Sequence, residues 1–170
     1  MAITRRAFGI AALASLSSLQ ACGFKLRGSG SSSVNLPFKT LFITVAETSP
    51  LGVELKRNIR ANGGTEIVAN ADAAEARLEV LSEVRDRVIQ SLNSQGRIRQ
   101  YTLFYRFSFR VLGKDNAVLL PSTEIVLKRD ISFNESQVLA KESEEALLYR
   151  DMQSDLVQQI VRRLAALKPT

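Results

Sequence analysis

Three sets of side chains in this sequence have the chemistry to act on another molecule. They are a single cysteine, Cys22; the glutamates Glu142, Glu144 and Glu145; and the arginines Arg85, Arg87, Arg97, Arg99, Arg106 and Arg110. Catalysis finds little to work with among them. The chain has no histidine, which removes imidazole acid–base chemistry and the commonest zinc ligand. One cysteine cannot make a disulfide within the chain. There is no Gly-x-Ser-x-Gly elbow to expose a nucleophilic serine. The glutamates read as a solvated face in the first turn of a helix, where the dipole favours negative charge. Gly28 to Ser33 is not followed by Lys-Ser/Thr and so reads as a flexible linker, not a phosphate loop. The arginines carry two readings of equal weight: guanidinium forks for phosphates, or charged strand surface that discourages edge-to-edge aggregation. No enzyme, metal or cofactor is expected.

Cys22 is explained by what precedes it. Arg5 and Arg6 lead into an uncharged, Ala- and Leu-rich stretch from Ala7 to Ser18, with no acidic residue before Glu47. A basic start and about a dozen apolar residues is the layout of a secretory signal, too short to span a bilayer comfortably. The stretch ends in Leu19-Gln20-Ala21-Cys22, which resembles a lipobox. That resemblance implies cleavage before Cys22 and acylation of its sulfur and new amino group, with two or more acyl chains giving stable membrane anchoring. Gly23 follows instead of Asp, as in lipoproteins sorted to the outer membrane. Thr4-Arg5-Arg6-Ala7-Phe8 also resembles a twin-arginine export motif, so both export routes stand. The expected organisation is a signal peptide over 1–21 and one domain over 22–170.

The elements that must position the arginines follow from periodicity. Leu41 to Val45 reads as a short strand. Ser49-Pro50 reads as an N-cap with proline at the first helical position, and Leu51, Leu55 and Ile59 continue at helical spacing until Asn62-Gly63-Gly64. Thr65 to Ala69 reads as a second strand. Leu78, Val80, Ser82, Val84, Asp86 and Val88 then alternate with Glu79, Leu81, Glu83, Arg85 and Arg87. Tyr101, Leu103, Tyr105, Phe107, Phe109 and Val111 alternate with Thr102, Phe104, Arg106, Ser108 and Arg110. Such alternation means long antiparallel strands with one face on a core, turned at Ser94-Gln95-Gly96 and again at Gly113 to Asn116. Arg106 and Arg110 share the outward face. Val118 to Ile131 is a further strand, and Pro121 suggests that it lies at an edge. From Ser136 to Leu167, Ala146, Tyr149, Met152, Leu156, Ile160, Leu164 and Leu167 make a helical stripe. The expected fold is α+β: a two-layer sandwich with two helices packed on one face of a four-stranded mixed, largely antiparallel sheet.

The segment Cys22-Gly23-Phe24-Lys25-Leu26-Arg27-Gly28, the pair Gly96-Arg97 followed by Tyr101, and Leu139-Ala140-Lys141-Glu142 resemble the LptE family of lipopolysaccharide-assembly lipoproteins. The resemblance implies two helices on a mixed four-stranded sheet. It also implies a lipoprotein that plugs and helps assemble the outer-membrane β-barrel LptD, on the periplasmic side and in the barrel lumen, and that binds lipopolysaccharide for delivery to the outer leaflet. Lys141 matches the lysine of the family's Leu-Ala-Lys segment and is carried over as a lipopolysaccharide contact, with Arg97 and Arg99 as further contacts. The alternative is an outer-membrane lipoprotein serving another machine, as a secretin pilotin or cell-wall adaptor. No nucleic acid partner is expected.

Overall fold

A computed structural model describes residues 35–168. The expected signal peptide at 1–21, the lipidation site Cys22 and the linker Gly28 to Ser33 lie outside the described residues. Seven regular elements follow in order: β1 Thr40–Thr44, α1 Pro50–Asn62, β2 Glu66–Ile67, β3 Ala76–Leu92, β4 Ile98–Gly113, β5 Val118–Ser132 and α2 Val138–Ala165. The fold is α+β with a mixed sheet, as expected, but the sheet has five strands where four were expected. Its order is β2-β1-β3-β4-β5. The extra member is β2, two residues long and parallel to β1 at the sheet edge. It falls inside the Thr65 to Ala69 stretch that the sequence marks as a strand, so the strand itself is as expected and only its place as a fifth member of the sheet is not.

Local chemistry sets the element ends. Ser49 caps α1, its hydroxyl accepting from the Gly52 amide at 3.2 Å, and Pro50 occupies the first turn. Gly63 and Gly64, at φ 70° and 82°, let the chain leave α1 by a left-handed path closed to most side chains. At the β3–β4 turn Asn93 Oδ1 accepts from the amides of Gln95 and Arg97, and Gly96 takes φ 75°.

The core lies between the helices and one face of the sheet. Tyr105, Phe107 and Phe109 of β4 are fully buried against Leu51, Leu55 and Ile59 of α1 and Met152, Leu156 and Ile160 of α2. Each such side chain contributes roughly 1.5–3 kcal/mol by leaving water. The expected face assignment of β4 therefore holds, and Arg106 and Arg110 do point the other way, paired with Asp86 and Glu79 at 2.6 and 2.7 Å.

β3 departs from the expectation. Leu78 and Val80 face the helices opposite Val111 and Phe109, but the register shifts between Val80 and Ser82. A one-residue bulge exchanges the two faces of everything after it. Beyond it Glu83, Arg85 and Arg87 stand opposite Phe107, Tyr105 and Leu103 on the helix side, while Val84, Asp86 and Val88 oppose Arg106, Phe104 and Thr102 on the open side. Unbroken alternation had put Val84 and Val88 with Leu78; they are instead 46% and 49% exposed.

The acidic residues of α2 are also placed differently. The helix begins at Val138, so its first turn has no acid and Glu142, Glu144 and Glu145 follow in later turns. Glu144 and Glu145 are held by Lys141 and Arg87 at 2.8 and 2.9 Å, so ion pairing accounts for them where the helix dipole had been expected to.

Candidate functional site

The structure gathers Arg97, Arg99 and Lys141 at one end of the sheet. Arg97 and Arg99 flank the start of β4. The Arg99 carbonyl accepts from the Phe133 amide at 2.8 Å, which ties the end of β5 to that turn. Arg97 Nη1 meets Glu135 Oε2 at 2.9 Å, and both side chains are more than half exposed, so the pair contributes at most about 1 kcal/mol. The Arg99 guanidinium has no ion-pair partner among the described residues. A shallow depression of about 280 Å³ lies here, lined by Asn93, Arg97, Ile98, Arg99, Phe133 and Glu135. Phe133 stacks edge-on to Tyr101 at 5.4 Å.

Lys141 sits at the same end but is not part of that lining. Its side chain is only 15% exposed. Its ammonium donates to Ser132 Oγ at 3.0 Å and to Glu144 Oε2 at 2.8 Å. It therefore fastens α2 to the end of β5, and an incoming anion would have to share it with Glu144.

A second concentration of charge lies on the helix side of β3. Among the described residues, α2 is the element that reaches the helix-facing side of β3 beyond the bulge, through Glu145, Tyr149 and Gln153. A cleft of about 990 Å³ lies between the N-terminal end of α1, α2 and β3, lined among others by Val53, Arg57, Arg85, Arg87, Leu147 and Tyr149. Arg85 is its node. The guanidinium lies 4.5 Å from the centre of the Tyr105 ring and donates to Tyr105 Oη at 2.8 Å, Gln153 Oε1 at 2.9 Å and Glu83 Oε1 at 3.3 Å. Tyr105 in turn donates to Glu83 Oε1 at 2.6 Å. Gln153 and Ser154 both donate to Glu54 at 2.7 Å, carrying the network onto α1. Four elements are thus joined by one polar chain beside an apolar core.

Protonation follows from this geometry. Burial and the hydrogen bond to Glu83 raise the Tyr105 phenol well above its ordinary value, outweighing Arg85. Burial likewise raises Tyr149, with Glu145 and Asp86 adding to it. Hydrogen bonding to Glu145 raises Arg87 further. The arrangement holds its protons tightly and suits binding and bracing.

Sequence reasoning missed Gln153 and the polar role of Tyr105. The signal is present in the tyrosine itself: of the fully buried aromatics Tyr105, Phe107 and Phe109 it alone brings a hydroxyl, which needs a partner once buried. On the open face, Phe104 has Arg106 and Lys128 above its ring at 4.5 and 5.4 Å. No group of three or more metal-ligating side chains comes together among the described residues, and no described helix is long and apolar enough to cross a membrane.

Comparison with known proteins places this fold. The profile of the LptE lipopolysaccharide-assembly family matches residues 38–164, from just before β1 almost to the end of α2. The chain belongs to the LptE family. Its structure is similar to that of lipoprotein B from Nitrosomonas europaea, at 40% identity and a TM-score of 0.71 over 85% of this chain and 91% of that one. The minor lipoprotein from Acinetobacter baumannii is similar at 25% identity and a TM-score of 0.63, over 79% and 98% of the two chains. Rare lipoprotein B from Shewanella oneidensis shares the fold at 23% identity and a TM-score of 0.66, over 75% and 95%. No curated protein matches in sequence. As an LptE-family member the chain is an outer-membrane lipoprotein of lipopolysaccharide assembly and transport.

Proposed function

We propose that this lipoprotein is anchored through acyl chains on Cys22, seats as a plug in the lumen of an LptD-type β-barrel and assists its assembly, and binds lipopolysaccharide for delivery to the outer leaflet. The family match over the whole described fold carries the reading. The meeting of Arg97, Arg99 and Lys141 at one end of the sheet supports the ligand site. Lipid A and core phosphates are bidentate acceptors, and Arg97 and Arg99 offer exposed forks for them. Lys141 adds a third cation once an incoming phosphate displaces Glu144. The role is one of binding, with no covalent step.

The test is lipopolysaccharide binding by the full chain in detergent, comparing the natural sequence with Lys141→Glu and with Arg97→Glu/Arg99→Glu. Reversing one cation that contacts phosphate removes roughly 1.5–3 kcal/mol, about ten- to a hundred-fold in affinity. Unchanged binding by both variants would remove these residues from the site.

A further inference from the structure

We propose that the free edge of β3, from Leu81 to Leu92, takes up an extended segment of a second polypeptide as an added strand. The inference does not depend on the barrel or the lipid reading. β1 pairs with β3 only over Ala76 to Glu79, and beyond that point the sole partner of β3 among the described residues is β4. A row of backbone N–H and C=O groups is left facing outward, and only another extended chain satisfies such a row along its length.

Four observations set this edge apart from an ordinary solvated one. Leu81, Val84, Val88, Ile89 and Leu92 are all between 46% and 55% exposed and all belong to this one strand. The charges that would normally blunt an edge are already paired within the chain: Arg85 with Tyr105 and Gln153, Arg87 with Glu145, and Asp86 with Arg106 across the open face. The opposite edge strand, β5, is defended in the usual way by Pro121 near its start. Finally, the cleft on the helix side opens directly beside β3, leaving room for alternate side chains of an incoming strand where α1 would otherwise lie.

The same geometry specifies the partner's chemistry. Side chains pointing to the open face would pack on Val84 and Val88, so they are apolar. Those pointing into the cleft would stand beside Arg85 and Arg87, where acidic residues pair best across strands. The partner segment therefore alternates apolar and acidic residues.

A capped ten-residue peptide of alternating valine and glutamate is the probe, added to the full chain in detergent and followed by residue-resolved hydrogen exchange. In the free chain, the outward amides of Leu81 to Leu92 should exchange as fast as those on the outer edge of β5. Saturating peptide should slow them at least tenfold and leave β5 unchanged. Val84→Lys/Val88→Lys should weaken peptide binding at least tenfold while unfolding cooperatively like the parent. Val126→Lys, on the same sheet face but the opposite edge, should leave binding unchanged. Four results would overturn the proposal. Slow exchange in the monomer without peptide means the chain's own N-terminal residues cover the edge. Protection that grows with protein concentration means a second copy does. Protection at β5, or equal loss with Val126→Lys, means the peptide binds elsewhere. No protection at millimolar peptide means the edge takes no strand of this kind.

Discussion

Tyr105→Phe removes one oxygen from the middle of the molecule and leaves its shape intact. The ring is fully buried, so the phenylalanine keeps the packing and the apolar burial. What is lost is the 2.6 Å bond to Glu83 and the 2.8 Å bond from Arg85. Hydrogen bonds to charged groups contribute about 1.5–3 kcal/mol each. Both charged partners recover part of this, since the side chains of Glu83 and Arg85 are 27% and 36% exposed and can rehydrate. A net loss of about 2 kcal/mol follows, or roughly 7 °C in melting temperature for a domain of this size. Thermal and urea unfolding of the two proteins, with unchanged m-value, measures it directly. A pH series adds an independent check. The Tyr105 phenol is raised in the folded chain from an unfolded value of 10.0, so its contribution is fully present below pH 10 and is lost as pH rises above it, where the unfolded chain releases the proton first. The parent should lose stability above pH 10 more steeply than Tyr105→Phe, by up to about 1.4 kcal/mol per pH unit. If the variant matches the parent to within about 0.5 kcal/mol at pH 7 and has the same alkaline slope, the buried network does not hold the helices to the sheet.

Other substitutions probe other parts of the account. Gly52→Ala should destabilise by about 1–2 kcal/mol in chemical denaturation, although alanine is the better helix former, because its Cβ would lie 2.6 Å from Val45 Cγ1. Ser49→Ala removes the α1 cap and should lower stability by about 1 kcal/mol in the same assay. Phe107→Ala empties the centre of the core and should cost about 3–5 kcal/mol, seen as a large fall in denaturant midpoint or loss of cooperative melting. Lys141→Met loses both the Glu144 pair and the Ser132 hydrogen bond but keeps an apolar stem in place, and should lower stability by about 1–2 kcal/mol in the same assay, leaving the chain folded so that a fall in lipopolysaccharide binding is read apart from unfolding.

The parts of the fold legible in the sequence were those with a long period and a clear terminator. β4 reads correctly from Tyr101 to Val111 because six apolar residues alternate without interruption, and α1 reads correctly because Ser49-Pro50 and Gly63-Gly64 mark its ends. β3 was only half legible. Its register slips at Leu81, and a bulge inserts one residue without any compositional mark, so Val84 and Val88 were assigned to the wrong face. The candidate site is legible as residue types, not as partners. Short segments single out Arg97, Arg99 and Lys141 as candidates, but no local pattern encodes the pairing of Lys141 with Glu144 and Ser132. The Arg85–Tyr105–Gln153–Glu54 chain joins residues nearly a hundred positions apart, a separation that no local pattern encodes.

The most direct test of the functional reading is to tag the C-terminus, solubilise outer membranes in mild detergent and identify what co-purifies. The account expects one β-barrel of the LptD type in stoichiometric amount. A secretin or a cell-wall complex in its place, or no barrel at all, would contradict the plug.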